Sequence, residues 1–521
     1  MRGIACGVIL TLALAGAAGA LAGGATAARG DATKGEALYA RKCAVCHGET
    51  GKGDGPAEFV LFPRPRDLTS GIFKVRSTRT LPTDGDLFRV ITRGIPGTAM
   101  PAWDFLTEAE RWDLVAYIKG LSPVFGERAA GPPLAIPPPP RQTRALLALG
   151  ERFYADAGCV ECHGPSGRGD GTSAPTLTDD WGHPIVPYDF TISGRMKAGG
   201  TARDIYRTLL TGIGGTPMPS YADSLSEKEM WGLAYYVLSL AKGPATKPLP
   251  ESGTLTVRRV AGDLPLDPHA RVWRAARLQP VGLRTLWLRP KTIDRVRVAV
   301  LHNGREIGFL LEWDDPIADQ AALGVQEFRD AAAVQFPLRP VALHAHGHPE
   351  PSYAMGEAQG PVNIWHWKAD WQLDLARHRD LEDRYPAVAV DDVPFVRGMR
   401  SSDPGAILAP ADRHDPLFLA ARAAGNPMAL PRRSAVENLN AAGLGTITSQ
   451  PAEAQVIRGE GRWAGGKWRV VMVRALRTGN PRDAQFEPGQ ATAAAFAVWD
   501  GAQRDRDGQK AVSLWQRLRI E

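Results

Sequence analysis

The five-residue pattern Cys-x-x-Cys-His occurs twice in this chain, at residues 43–47 and 159–163, and its surroundings repeat with it. Each copy follows a Gly-Glu-x-x-Tyr segment and precedes a Gly-x-Gly-Asp-Gly segment. A Met-Pro pair comes later, and each copy closes with an apolar stretch that begins at a tryptophan, residues 112–118 and 231–237. Because these features recur in one order at similar spacing, the sequence predicts two tandem copies of one domain.

The repeated pattern carries a specific chemistry. Two thiols one helical turn apart can form thioethers with the two vinyl groups of haem, and the next residue, histidine, can offer a ring nitrogen to the iron. The predicted attachment residues are Cys43 and Cys46 with His47, and Cys159 and Cys162 with His163. A thioredoxin-like redox pair would need a βαβ setting, and a zinc site would need further cysteines. We therefore predict two covalently bound c-type haems.

A second iron ligand is expected from the methionine of each Met-Pro pair. Met100 and Met218 occupy equivalent positions in the two repeats, and the proline that follows stiffens the loop. A thioether favours Fe(II), so His/Met ligation raises the reduction potential. An ordinary core methionine is the alternative, but the equivalent positions favour ligation.

Both repeats resemble class I cytochromes c over nearly their whole length. The resemblance implies two all-α domains, each with first and last helices that cross through a glycine and aromatic side chains. The residues that match this role are Gly35, Tyr39, Trp112 and Tyr117 in the first repeat, and Gly150, Tyr154, Trp231 and Tyr235 in the second.

The chain begins with the pattern of a secretory signal peptide. Arg2 precedes an apolar run over residues 4–22, and Ala25-Thr26-Ala27 offers a small-residue cleavage site. We expect removal of residues 1–27 and a periplasmic location; an uncleaved membrane anchor is the less favoured alternative. Cys6 would leave with the signal, so no thiol remains for a structural disulfide.

Composition shifts suggest the remaining boundaries. The predicted segments are a first cytochrome c domain at 30–123, a proline-rich linker at 124–143, a second cytochrome c domain at 144–242, a linker at 243–252 and a C-terminal domain at 253–521. The net charge of +6 is spread over interspersed acidic and basic residues, so no nucleic-acid partner is expected.

The C-terminal domain shows short apolar-alternating runs, such as residues 296–300 and 468–473, separated by turn residues. This texture predicts an antiparallel β-sandwich with long loops and a helical patch at 417–424. His344, His346 and His348 could place three imidazoles on one face of a strand, but the neighbouring prolines and glycine favour a polar loop.

Three stretches of this domain, at 362–369, 459–471 and 498–515, carry a second resemblance. They look like the haem b-binding γ subunit of ethylbenzene dehydrogenase and its relatives among dimethylsulfide dehydrogenase and the chlorate and selenate reductases. The resemblance spans about residues 255–521 and implies a mainly-β sandwich that holds one non-covalent haem b.

The same resemblance implies Met355 and Lys510 as axial ligands of the haem b iron. Lysine ligates only as the neutral amine, so its pKa must be strongly depressed. Lys368 and Lys467 are substitutes for Lys510, and His366 is a further candidate because two tryptophans flank it.

Together these features predict a multidomain electron-transfer protein in which two c haems and one b haem link a periplasmic oxidoreductase to a respiratory donor or acceptor. The resemblance implies a molybdopterin catalytic subunit and an iron–sulfur subunit as partners. Because such γ subunits normally consist of the haem b domain alone, the fusion leaves open whether this chain is a permanent subunit or a separate carrier. No catalytic residue can be assigned, and the sequence favours a carrier over an enzyme. The alternatives are a haem enzyme acting on a small substrate and a dihaem cytochrome c with a haem-free β-sandwich docking module.

Overall fold

A computed structural model describes residues 30–242, 249–250, 252–339, 341, 343, 350–377, 379, 381–385 and 432–521. The predicted signal peptide, most of the 243–252 linker, the three histidines at 344–348 and the helical patch at 417–424 lie outside these residues. Within them, helices fill the two repeats and strands dominate the C-terminal part. None of the described helices is both long and apolar enough to span a bilayer.

The two repeats form matching sets of helices. The first contains α1 (Ala32–Lys42), α2 (Ala44–His47), α3 (Asp84–Arg93), α4 (Glu108–Leu121) and α5 (Val124–Glu127), with a 3-10 turn at Glu58–Val60. The second contains α6 (Arg144–Asp156), α7 (Cys159–His163), α8 (Ala202–Thr211) and α9 (Glu227–Ser239), with a 3-10 turn at Ala174–Thr176. The predicted apolar stretches at 112–118 and 231–237 are confirmed as parts of α4 and α9.

Equivalent helices of the repeats begin with the same local signal. Thr83 caps α3 and Thr201 caps α8, each in a reciprocal capping box with the aspartate three residues later. Thr107 and Ser226 make the same box with a glutamate at the start of α4 and α9. Each box satisfies backbone N–H groups that the first helical turn leaves free, so the sequence fixes these helix starts locally.

The first and last long helices of each repeat cross at a glycine. A Cβ on Gly35 would lie 2.0 Å from the carbonyl oxygen of Asp113, and a Cβ on Gly150 would lie 2.0 Å from that of Gly232. Only glycine permits such an approach of two backbones. The aromatic part of the prediction needs one correction, because Tyr236 rather than Tyr235 packs on Tyr154, with ring centroids 5.3 Å apart.

The helical register explains that correction. Tyr235 turns to the linker instead, where its hydroxyl donates to the carbonyl oxygen of Pro140. In the first repeat, Tyr117 packs on Tyr39 as predicted, with centroids 5.1 Å apart.

The C-terminal part is a mixed sheet. Its described strands are β1 (Thr254–Arg259), β2 (Gln279–Gly282), β3 (Arg284–Thr285), β4 (Arg295–His302), β5 (Glu306–Asp314), β6 (Ala331–Pro337), β7 (Val362–Lys368), β8 (Val436–Ala441), β9 (Thr448–Ser449), β10 (Arg458–Trp463), β11 (Lys467–Ala475), β12 (Ala491–Trp499), β13 (Ala511–Val512) and β14 (Gln516–Ile520). Short helices lie between them: α10 (Arg271–Ala275), α11 (Ala369–Leu373) and α12 (Leu381–Arg384), with 3-10 turns at Ala452–Ala454 and Gly501–Gln503.

The strands follow the order β10-β11-β5-β4-β1-β14-β12-β6-β7-β8-β9, with β12 joining the two halves. One core takes side chains from both halves, for example Phe309 and Val470 from the first and Phe336 and Trp365 from the second, so the halves pack as the two layers of a sandwich. The expectation of a purely antiparallel arrangement is wrong at β1, which runs parallel to β4 and β14. Period-2 alternation reports a half-buried strand but not its direction, which explains the difference.

The first repeat contacts both of the other parts. Phe62 exchanges backbone hydrogen bonds with Leu286 and Leu288 of the sheet domain, at 3.0 and 2.9 Å. On its other side, Arg66 donates to the carbonyl oxygen of Gly214 in the second repeat at 3.1 Å. The linker has no regular structure after α5, as expected, but Leu134 and Ile136 pack against the second repeat's core.

Candidate functional site: three cavities with predicted haem ligands

The first repeat encloses a mostly apolar cavity that contains its four predicted haem residues. Cys43, Cys46, His47 and Met100 all line this cavity of about 1170 Å³, a volume that includes the part open to solvent. The Nδ1 of His47 lies 3.0 Å from the backbone carbonyl oxygen of Arg66. A carbonyl can only accept, so Nδ1 carries the proton and Nε2 keeps the lone pair that an iron needs.

The second repeat builds the same arrangement. Cys159, Cys162, His163 and Met218 line a cavity of about 1200 Å³. His163 Nδ1 donates to the carbonyl oxygen of Tyr188 at 3.0 Å, so the ring is oriented in the same way. The agreement follows from the repeated sequence around each motif.

The methionine loops are also alike. The Met100 carbonyl accepts from Ile95 N–H and the Met218 carbonyl accepts from Ile213 N–H, both at 3.1 Å. In each loop the threonine two residues earlier accepts from the methionine N–H, at 3.2 and 3.3 Å. These bonds fix the backbone of both methionines beside their cavities, independently of any ligand.

The cysteine environment argues against a redox-active dithiol. Burial raises the pKa of both Cys43 and Cys46 to about 12. Catalytic Cys-x-x-Cys thiols show the opposite shift, because their chemistry requires a thiolate. Neutral thiols in an apolar cavity, with an oriented imidazole and a thioether nearby, fit a covalently attached haem.

The sheet domain holds a third cavity, with a volume of about 2360 Å³ including its open part. Met355 and Lys510, far apart in sequence, both line it. Lys510 lies just before β13, and its Nζ is 4.9 Å from the ring centroid of Trp499. The structure therefore brings the two residues of the implied pair to one cavity.

The protonation of Lys510 and the backbone conformation of Met355 are both compatible with binding to a haem iron. Burial lowers the pKa of Lys510 from 10.5 to about 8, which makes the neutral amine accessible near neutral pH. Met355 has φ +71°, a left-handed conformation that a non-glycine residue rarely adopts. Its carbonyl accepts from Gly443 N–H at 2.9 Å, so the fold holds this strained methionine in place.

The alternative ligands to Lys510 differ in whether they line the cavity and in what they bind. Lys467 lies on β11, pairs with Asp314 at 3.3 Å and does not line the cavity. Lys368 lines it, but its ammonium forms a buried ion pair with Glu437. His366 also lines it and stacks on Trp499 with centroids 4.6 Å apart, and its buried Nε2 has no hydrogen-bond partner in the part of the chain that the structure describes. Lys510 and His366 both line the cavity, and the Lys510 Nζ donates to the Asp507 carbonyl oxygen at 3.4 Å. Ligation by Met355 and Lys510 stays a prediction.

Three parts of the chain match known protein families. The family model described as "Cytochrome C oxidase, cbb3-type, subunit III" matches residues 30–118, and the model described as "Cytochrome c" matches residues 147–241. The model described as "Ethylbenzene dehydrogenase" matches residues 289–511. The chain joins two cytochrome c domains to an ethylbenzene dehydrogenase-type domain.

Individual relatives agree with this assignment. Chlorate reductase subunit gamma of Ideonella dechloratans is 27% identical over 51% of this chain and 84% of its own length. A protein named as a haem subunit of respiratory nitrate reductase in Haloferax mediterranei is 25% identical over 56% of this chain and 83% of its own. Among solved structures, a chain of the reducing HAO-like protein complex of Kuenenia stuttgartiensis is 42% identical, covers 40% of this chain and 96% of its own, and gives a TM-score of 0.39.

Sequence reasoning identified Cys46 as a haem attachment residue but missed Leu61 and Tyr353, which lie with it between these domains. Cys46, Leu61 and Tyr353 line both the cavity of the first cytochrome c domain and the third cavity; we call these residues the shared wall. Tyr353 comes from the ethylbenzene dehydrogenase-type domain and carries no motif signal. Only the φ of Met355, two residues later, marks this segment, and a sequence does not display it.

The two cytochrome c domains meet along a basic seam. The Arg66 guanidinium lies 4.2 Å from the ring centroid of Trp181 in the second domain. Lys74 lines the first cavity and Lys197 the second. Burial, with repulsion from Lys197 and Arg66, lowers the pKa of Lys74 to about 7. Anionic groups in these cavities would be stabilised by these cations.

Proposed function

We propose that this chain is a periplasmic electron-transfer protein with two covalent c haems and one non-covalent b haem. It relays electrons between an oxidoreductase, in our proposal a molybdenum enzyme with an iron–sulfur subunit, and a respiratory partner. The main support is that each of three cavities is lined by a predicted pair of iron ligands. In addition, the cavity of the first cytochrome c domain shares a wall with the third cavity. The relatives named as the gamma subunit of a chlorate reductase and as a haem subunit of a respiratory nitrate reductase support this proposal.

Haem bound in these cavities would supply reversible one-electron chemistry. The chain's own residues hold and tune it. His47 and His163 are oriented by backbone carbonyls, so their Nε2 lone pairs are fixed before any ligand arrives. The Met100 and Met218 thioethers favour the reduced state. The apolar linings limit water and keep the local dielectric low.

The decisive experiment is to produce the full chain in a host that attaches c-type haem. Intact mass should show the polypeptide without residues 1–27 and with two haem additions. Extraction with acidified solvent, followed by a pyridine haemochrome spectrum, should release one b haem and leave two c haems. A mature protein of unmodified mass would refute the proposal at its base.

A second candidate function is a haem enzyme that acts on a small substrate. The volume of the third cavity favours it, because 2360 Å³ is about twice that of either cytochrome c cavity and leaves room beside a haem. Carbon monoxide should discriminate. Fast stoichiometric binding to the b haem of the native reduced protein supports the enzyme, whereas a protein that binds none supports the carrier.

A further inference from the structure

Tyr353 belongs to the ethylbenzene dehydrogenase-type domain, but its side chain packs on two domains at once. It lies against the core of the first cytochrome c domain and also against the core cluster that includes Met355. With Cys46 and Leu61 it forms the shared wall. Among the described residues, the cavity of the second cytochrome c domain has no lining residue in common with the third cavity. The first cytochrome c domain is therefore the neighbour of the Met355–Lys510 cavity, although the second one precedes that domain in sequence.

A difference between the two cytochrome c domains shows what Tyr353 supplies. In the second domain Tyr221, three residues after Met218, hydrogen-bonds Cys159. The equivalent residue of the first domain is Trp103, whose buried indole N–H has no hydrogen-bond partner among the described residues. In the first domain a hydrogen bond to an attachment cysteine comes from outside the domain, because Tyr353 bonds Cys46. Cys46 is the second cysteine of its pair, whereas Cys159 is the first of its own pair, so the two tyrosines reach different cysteines of the motif.

The segment that carries Tyr353 is held from both sides. Glu350 pairs with Lys42 of the first cytochrome c domain at 2.5 Å, with side chains only 8% and 14% exposed. Gln335 on β6 donates to the Tyr353 carbonyl oxygen at 3.3 Å. Exclusion from water strengthens this ion pair relative to one at the surface, so the phenol position is well defined.

We propose that Tyr353 completes the first c-type site across the domain boundary and couples it to the Met355–Lys510 site. This inference rests on the proposed function and adds an order to it: electrons pass between the third cavity and the second cytochrome c domain by way of the first. A thioether at Cys46 could only accept this hydrogen bond, so the Tyr353 hydroxyl would be its donor. The positive end of this O–H dipole stabilises the reduced state and raises the potential of the first site.

The test compares two identical substitutions in the complete holoprotein. Tyr353→Phe removes the hydroxyl and keeps the ring at the first site, and Tyr221→Phe does the same at the second. Spectroelectrochemical titration gives the midpoint potentials, and Met100→Ala and Met218→Ala identify the two c sites. We expect Tyr353→Phe to lower the first potential alone and Tyr221→Phe to lower the second alone. If Tyr353→Phe leaves the first potential where it was, or moves both, the proposal is wrong.

A second measurement leaves Tyr353 in place. Lys510→Ala perturbs the third cavity, and we expect the midpoint of the first c site to shift while that of the second does not. A response of the second site without the first would overturn the order. If the proposed function is wrong, the result is different. The unmutated protein would then fail to show two covalent haems in its intact mass and one extractable haem b in the pyridine haemochrome spectrum. Failure of the present inference leaves all three haems in place with the predicted shifts missing.

Discussion

Acidification should weaken haem b binding through Lys510. Because its pKa in the folded protein is about 8, half of the Lys510 side chains carry a neutral amine at pH 8. Below this pH a proton competes with iron for Nζ, at about 1.4 kcal/mol, or tenfold in affinity, per pH unit. Between pH 8 and pH 6 the affinity of the apo site for ferric haem should therefore fall roughly fiftyfold. With the ordinary pKa of 10.5, the neutral amine would be about 160-fold less abundant at pH 8.

The assay is haem titration into protein emptied of haem b, followed by Soret absorbance at several pH values from 6 to 9. The native affinity should rise tenfold per unit up to about pH 8 and then level. Lys510→Met should flatten this slope because a thioether does not titrate. Lys467→Met is the matched control, since Lys467 is 43% exposed and outside the cavity, and it should keep the native slope. Equal slopes in Lys510→Met and native protein would refute Lys510 as the ligand.

Further predictions concern the helix crossing, a buried acidic group and a methionine ligand. Gly150→Ala places a Cβ 2.0 Å from a backbone carbonyl oxygen, so thermal unfolding should show the second cytochrome c domain destabilised by about 1–3 kcal/mol. Gly120→Ala is the control and should be neutral or stabilising, because its Cβ would have no described atom within 4 Å outside its own helix backbone and chain neighbours. Equal effects of the two substitutions would contradict the packing. Burial raises the pKa of Asp315 to about 6 and, with repulsion from Asp315, that of Asp330 to about 8, so stability falls as pH rises through these values. Asp315→Asn should therefore raise stability by up to about 3 kcal/mol at pH 8 and change it little at pH 3, below the ordinary pKa of an aspartate, as measured by urea unfolding; a gain that is the same at both pH values would argue against this reading. Met218→Ala should lower the midpoint potential of one c site without loss of the covalent haem from the intact mass, and an unchanged potential would remove Met218 as a ligand.

Much of the helical part could be predicted because its signals are local. A capping box such as Thr107 with Glu110 spans four residues, and Cys-x-x-Cys-His fixes three functional groups within five. The crossing at Gly35 was also predictable by resemblance, since a backbone contact of 2.0 Å at a Cβ position admits only glycine. The sequence could not predict that Tyr236 rather than Tyr235 packs on Tyr154, because adjacent tyrosines on a helix differ only in the direction they face.

The sheet domain was less predictable. Alternation identified strands but could not assign the parallel pairing of β1 with β4 and β14. The ligand pair came from resemblance, and only the structure placed Met355 and Lys510 on one cavity, 155 residues apart in number, and Lys467 outside it. Which lysine is buried depends on strand order, so no local pattern distinguishes Lys510 from Lys467.

By itself the sequence determined the repeated haem-binding chemistry, since thiol, imidazole and thioether groups must recur at fixed spacing to hold an iron porphyrin. The tertiary structure decided which sites are neighbours. The first cytochrome c domain contacts both of the others through its surfaces around Phe62 and Arg66, and the second also contacts the sheet domain, where Arg195 pairs with Asp294 at 2.9 Å. Such contacts join residues far apart in the chain, and their free energy depends on shape and burial that become defined only after each domain has folded.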